Sequence, residues 1–121
     1  MTVFDASALL AFLSGEAGAL TVETTLEEGG RCSAANWSEV AQKVLSAGGD
    51  WDLSRALLLS YGVILEPVQA QDAEWAARRW RKGEGLSLAD RLCLALAHRV
   101  GEDVLTADRT WGSAAGVRQI R

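Results

Sequence analysis

Short β-prone runs alternate with helical stretches along the whole of this chain, and that alternation restricts its fold more than any other feature. Thr2-Val3-Phe4 is β-prone and ends at Asp5. Ala6 to about Ser14 reads as a helix broken by Gly15. Ala17 to Glu28 reads as a second, with Ala19, Val22 and Leu26 on one face and a stop at Gly29-Gly30. Arg31 to Ala35 reads as the second strand. Asn36 then opens a helix striped by Trp37, Val40, Ala41 and Val44, which Gly48-Gly49 ends. Asp50 or Asp52 caps the next helix, where Leu53, Ala56 and Leu57 share a face. Val63-Ile64-Leu65 is the third strand, closed by Pro67. From about Gln71 to Lys82 a helix places Ala73, Ala76, Ala77 and Trp80 on one stripe and Trp75, Arg78, Arg79 and Lys82 on the opposite face. Gly83-Glu84-Gly85 is a loop. Ser87 to Val100 is apolar almost all round, which predicts a helix that is largely buried or lies at an interface. After Gly101, Val104-Leu105-Thr106 is the fourth strand, a short helix follows Asp108, and Val117 to Ile120 is the last strand.

Such an alternation implies a parallel sheet whose two faces are covered by right-handed crossovers, a three-layer α/β/α fold. In that architecture the crossover helices start at the carboxyl edge of the strands, where ligands bind. With 121 residues and no repeat or linker-like tract, the chain is expected to be one domain. No apolar run approaches the ~18 residues of a membrane span. The N-terminus lacks the basic start and cleavage site of a signal peptide, so a cytoplasmic protein is expected. Cys32, Cys93 and the single His98 are too few for a structural zinc site, and the cysteines read as small core residues. A net charge of −4 argues against a broad basic surface for nucleic acid. It leaves a nuclease open, because two bound divalent cations would cancel it.

Four acids share one position in this plan: Asp5, Glu39, Asp90 and Asp108. Asp5 ends the first strand, Glu39 is in the first turn of the helix after the second, Asp90 opens the helix leading to the fourth, and Asp108 sits just past that strand. Each alone has a structural role available as an N-cap, and Asn36-x-x-Glu39 and Ser87-x-x-Asp90 both have the form of capping boxes. Together they mean more. Four carboxylates converging on one edge repel one another unless a cation neutralises them, and hard oxygen ligands without His or Cys suit Mg²⁺ or Mn²⁺.

The same residues carry a resemblance. Val3-Phe4-Asp5-Ala6-Ser7, Ala35-Asn36-Trp37-Ser38-Glu39, the run Leu86 to Ala97 and Leu105-Thr106-Ala107-Asp108-Arg109 resemble, in order and spacing, the motifs of PIN-domain nucleases, specifically the VapC-type toxins of toxin–antitoxin pairs. The resemblance spans essentially the whole chain. It implies a five-stranded parallel sheet, a Mg²⁺- or Mn²⁺-dependent ribonuclease acting on RNA, a homodimer, and inhibition by a cognate antitoxin protein. Carried over by motif, Asp5, Glu39, Asp90 and Asp108 are the catalytic, metal-holding acids, with Thr106, Ser7 and Asn36 as supporting polar groups. Arg91 departs from the pattern, where many relatives have a smaller residue; it either touches substrate phosphate or pairs with Asp90.

The remaining features divide evenly. Trp75 with Arg78, Arg79 and Lys82 either tracks an RNA backbone or is a solvated helix face. Leu57, Leu58 and Leu59 cannot all face one core, so part of that patch is open to a partner. His98 lies about two turns beyond Asp90, ~12 Å along the axis, and reads as a surface or packing residue. Trp51 and Trp111 read as packing residues. A non-catalytic RNA-binding or scaffolding protein of the same fold is the principal rival, against which stands the retention of all four acids. A phosphatase would want D-x-D after the first strand, where Ala6-Ser7 stand. No P-loop or G-x-G-x-x-G supports nucleotide binding.

Overall fold

In the computed structural model, which describes residues 1–121, five short strands form one parallel sheet in the order β3-β2-β1-β4-β5. The strands are β1 (Thr2–Phe4), β2 (Gly30–Ser33), β3 (Ile64–Glu66), β4 (Val104–Thr106) and β5 (Val117–Gln119). Helices α1 (Ala6–Leu13) and α2 (Ala19–Glu28) join β1 to β2, while α3 (Ala34–Ser46) and α4 (Trp51–Ser60) join β2 to β3. Helices α5 (Ala70–Arg79) and α6 (Leu88–Val100) join β3 to β4, and a 3-10 turn, Arg109–Trp111, precedes β5.

Side chains alternate across the sheet and divide the core in two. Phe4, Cys32 and Leu105 face Leu9, Val22, Leu26, Val40 and Leu58 of α1 to α4. Val3 and Val104 face the other way, onto Cys93, Leu96 and Ala97 of α6. This is the α/β/α layering that the alternation required. Helix α6 is buried along its middle, but Leu88 at its start is exposed. No helix is long and apolar enough to cross a membrane.

On the α6 side of the sheet the layers are also joined by charge. Arg31 pairs with Glu66 at 3.1 Å and with Glu102 at 3.3 Å. Arg99 reaches Asp72 at 2.9 Å and Glu66 at 3.9 Å. Asp72 is buried, and its Oδ2 also accepts the Gln69 amide, so one carboxylate both caps α5 and ties it to α6.

Four local expectations are corrected. Gly30 does not merely end α2; it begins β2 by pairing with Thr2, and only glycine fits, since a Cβ there would stand 2.2 Å from the Phe4 ring and 2.6 Å from the Thr2 carbonyl. Helix α3 opens at Ala34 with Ser33 as its cap, accepting the Ala35 amide, so Asn36 caps nothing and Glu39 falls in the second turn. Helix α4 buries Leu58 and packs Trp51 edge-on against Trp37, leaving Leu53, Ala56 and Leu57 exposed. Helix α5 buries Asp72 and Ala76 and half-buries Trp75 and Arg79, whereas Ala73, Ala77 and Trp80 face solvent. Both helices carry two i, i+3, i+4 rows, and the aromatic and ionic anchors, not the aliphatic row, decide which one packs.

Candidate active site

The carboxyl ends of the strands meet on one edge, and the sequence-predicted acids stand there. Asp5 directly follows β1 and is 3% exposed. Its backbone has the extended geometry of an N-cap for α1, yet its carboxylate caps nothing. Instead Oδ2 accepts the Ser7 hydroxyl at 2.5 Å and the Thr106 hydroxyl at 2.8 Å. Those hydroxyls in turn accept backbone amides, Ser7 from Ala107 at 2.9 Å and Thr106 from Asp108 at 3.0 Å. With both protons directed at Asp5, the loop after β4 is fastened to the end of β1.

Glu39 is half-buried, and its Oε1 accepts Asn36 Nδ2 at 3.1 Å. The same nitrogen donates to the Ala89 carbonyl at 3.2 Å, so Asn36, fully buried, links α3 to the first turn of α6. Asp90 sits in that turn. Its Oδ2 accepts the Ser87 amide at 2.9 Å while its own amide donates to the Ser87 hydroxyl at 3.1 Å, completing the capping box. Asp108 Oδ1 accepts the amide and hydroxyl of Thr110 at 2.9 and 2.6 Å, which caps the 3-10 turn. A pattern joins all four. Each carboxylate has one oxygen held by the protein and a second that no side-chain donor reaches.

Burial pushes the Asp5 carboxyl above its ordinary pKa; the Ser7 and Thr106 hydroxyls offset this in part, and the Asp90 charge adds to it. Glu39 is raised likewise, by burial first, against the Asn36 hydrogen bond and with the charges of Asp5 and Asp90. Asp5, Glu39 and Asp90 therefore sense one another, while Asp108 is bound to Asp5 through Thr106. The thiols of Cys32 and Cys93, both buried beneath this edge, are raised by the same desolvation and the nearby acids, which leaves them unreactive packing groups.

No three His, Cys, Asp or Glu side chains lie close enough to enclose an ion unaided. The donor set still fits a hard divalent cation. Mg²⁺ keeps several waters and takes only one or two protein carboxylates beside a substrate phosphate, so a closed cage is not its requirement. The second oxygens of Asp5 and Asp90, which no side-chain donor reaches, would be ligands of this kind.

The basic residues are placed differently from one another. Arg91 does not pair with Asp90; its Nη1 donates to the Ala76 carbonyl at 2.7 Å, one of the carbonyls freed at the end of α5. Arg79 forms a bidentate pair with Glu84 at 2.6 and 2.9 Å, and Arg78 lies 3.6 Å from Glu74 on the surface. Lys82 is exposed and in no ion pair. Trp75 is not on a free face: it stacks on His98 with ring centroids 5.2 Å apart. Trp80 is the exposed ring of α5, which the stripe had assigned to the core. The difference arises because α5 ends at Arg79, short of the expected Lys82, which makes Trp80 its C-cap.

Fold and acidic edge together define an α/β/α domain with its carboxylates gathered at one edge of a parallel sheet. The sequence pattern of the PIN domain matches residues 2–117, and the chain belongs to that family. It is 35% identical over 115 residues to a VapC ribonuclease of Mycobacterium bovis, covering 85% of this chain and 87% of the relative. Ribonuclease VapC42 of Mycobacterium tuberculosis is similar to the same extent, 35% over 115 residues. A toxin–antitoxin complex from Klebsiella pneumoniae contains a chain of like fold, with a TM-score of 0.78, 20% identity, and coverage of 100% of this chain and 98% of that one. Mycobacterium tuberculosis VapC20, a toxin that cleaves the sarcin–ricin loop, matches with a TM-score of 0.77 at 21% identity over 97% of each chain.

Proposed function

We propose that this protein is a metal-dependent endoribonuclease, the toxin of a toxin–antitoxin pair, working as one domain in the cytoplasm. The observation that carries the reading is the shared construction of Asp5, Glu39, Asp90 and Asp108, each fixed by one oxygen with the other left for a ligand. Membership of the PIN family and the ribonuclease names of its relatives support it.

A bound Mg²⁺ or Mn²⁺ supplies Lewis acidity for the attacking water and for the charge on the phosphate. Asp5 and Asp90 would hold it, and Glu39 and Asp108 would complete the ligand set or orient the attacking water. Ser7 and Thr106 fix the Asp5 carboxylate, and Asn36 fixes Glu39. We assign Arg91, Arg78 and Lys82 to contacts with the phosphates of the strand; Arg79, engaged by Glu84, joins them only if that pair opens.

Leu53 and Leu57 of α4, with Leu45, Ile64 and Val68, are exposed apolar side chains of the kind that association covers. We assign them to a homodimer and to the antitoxin, whose basic residue would enter the acidic edge. The test is to induce the wild-type and Asp5→Asn proteins in the native host and sequence the RNA 5′ ends. Discrete new ends with the wild type alone, and a small protein co-purifying with it, are expected. Identical end profiles for both would overturn the reading.

A further inference from the structure

We propose that Trp80, flanked by Arg81 and Lys82, is a stacking platform that holds an unpaired base of the RNA beside the acidic edge. This rests on the ribonuclease reading and names the state of the RNA that the protein grips.

The other four tryptophans are used by the fold. Trp37 and Trp51 meet edge-on at 5.2 Å, Trp75 stacks on His98, and Trp111 packs against the core beneath α6. Trp80 is 55% exposed, the one aromatic among the exposed large hydrophobic residues, and meets no other ring. It is the C-cap of α5, where the chain turns out of the helix. Arg81 Nη1 donates to the carbonyls of Arg78 and Trp80, 2.9 Å each, which closes the last turn and anchors the guanidinium at the root of the indole.

A short path joins this ring to the acids. Arg91, next to Asp90, donates to the Ala76 carbonyl, and Trp80 is one helical turn beyond Ala76, about 6 Å along the axis. Charge marks the same place. Arg79 and Arg99 are neutralised by Glu84 and Asp72, whereas Arg81, Lys82 and Arg91 make no ion pair. In a chain of net charge −4, these cations beside an acidic edge suit phosphates approaching it. An indole accepts a base only where the base face is uncovered, in a single strand, loop or bulge and not inside a duplex.

The test uses the Asp5→Asn protein, expected to bind without cutting, with a labelled single-stranded RNA and a blunt duplex of the same sequence, followed by fluorescence anisotropy. The single strand should bind more tightly. Trp80→Ala should weaken it roughly tenfold while Trp80→Phe stays within about threefold of the parent. Lys82→Ala should reduce the salt slope of log affinity by about 0.7. Equal single-strand affinity of Trp80→Ala and its parent overturns the platform and leaves the ribonuclease reading standing. Unchanged RNA affinity with loss of a co-purifying protein overturns it in favour of a protein-binding patch. A parent that binds neither RNA overturns both.

Discussion

The hydroxyl of Thr106 donates to the carboxylate of Asp5 at 2.8 Å across 101 residues of chain, and both residues are buried. Because Thr106 also accepts the Asp108 amide, this one oxygen joins two acids from different strands. Thr106→Val keeps the shape and removes both bonds, leaving a buried carboxylate and an amide short of a partner. A loss of about 1–3 kcal/mol in denaturant unfolding is expected, together with weaker metal binding. Thr106→Ser should restore most of both.

The pH dependence of stability follows from Asp5. Its folded pKa is raised, chiefly by burial, so the unfolded chain loses the proton first as pH rises. The stabilising contribution is present below the ordinary carboxylate value, ~4, and is lost as pH climbs through the raised one. Glu39 acts with the same sign. Asp5→Asn keeps an acceptor for the two hydroxyls and cannot ionise. Without metal, the variant should melt above the wild type near neutral pH, with the gap closing toward pH 4. A variant that melts below the wild type at neutral pH would show that the acids do not repel and that Asp5 is an ordinary structural group.

How far the sequence reveals this molecule differs between its parts. The alternation of strand and helix specifies parallel crossovers, and Asp5, Glu39, Asp90 and Asp108 follow strand ends or open helices at one edge; α5 is the exception, since its first turn, at Asp72, lies against Arg99 in the last turn of α6. The faces of α4 and α5 were not legible. Leu53, Ala56 and Leu57 look like a core row by periodicity, but Trp51 and Leu58 offer a competing one, and the ring of Trp37 selects it. In α5 the pairing of Asp72 with Arg99, 27 residues away, rotates the helix so that Trp75 turns in and Trp80 out. Ser33 and Asn36 are both good caps, and only the register of β2 against β3, Ser33 beside Glu66, decides between them. Long-range partners carry that information.

Asp72 supports a third prediction. It is buried, ion-paired with Arg99 and bonded to the Gln69 amide. Asp72→Ala leaves Arg99 largely buried and removes a cap, so about 3 kcal/mol of stability should be lost in urea unfolding. Replacing Arg99 by Met in that background should recover part of it. An Asp72→Ala protein within 0.5 kcal/mol of the wild type, the usual range for an inert surface change, would show that the network is solvated.

Gly30 gives a fourth. A methyl group there would meet the Phe4 ring at 2.2 Å and the Thr2 carbonyl at 2.6 Å. Gly30→Ala must push β2 from β1, and overpacking of this kind costs about 1–3 kcal/mol. Gly48→Ala is a different case: the space around it is open, and any loss there comes from its φ of +79° alone. Thermal melts of the two variants separate steric crowding from backbone strain.

The central claim is that the carboxylates of the acidic edge cut RNA through a divalent cation. Its most direct test is cleavage of end-labelled RNA by protein stripped with EDTA and then titrated with Mg²⁺ or Mn²⁺. No cleavage should occur before metal is added, activity should return with either ion, and Asp5→Asn and Asp90→Asn should stay inactive at every concentration while remaining folded. Cleavage that persists in EDTA, or an Asp90→Asn protein as active as the wild type, would contradict it.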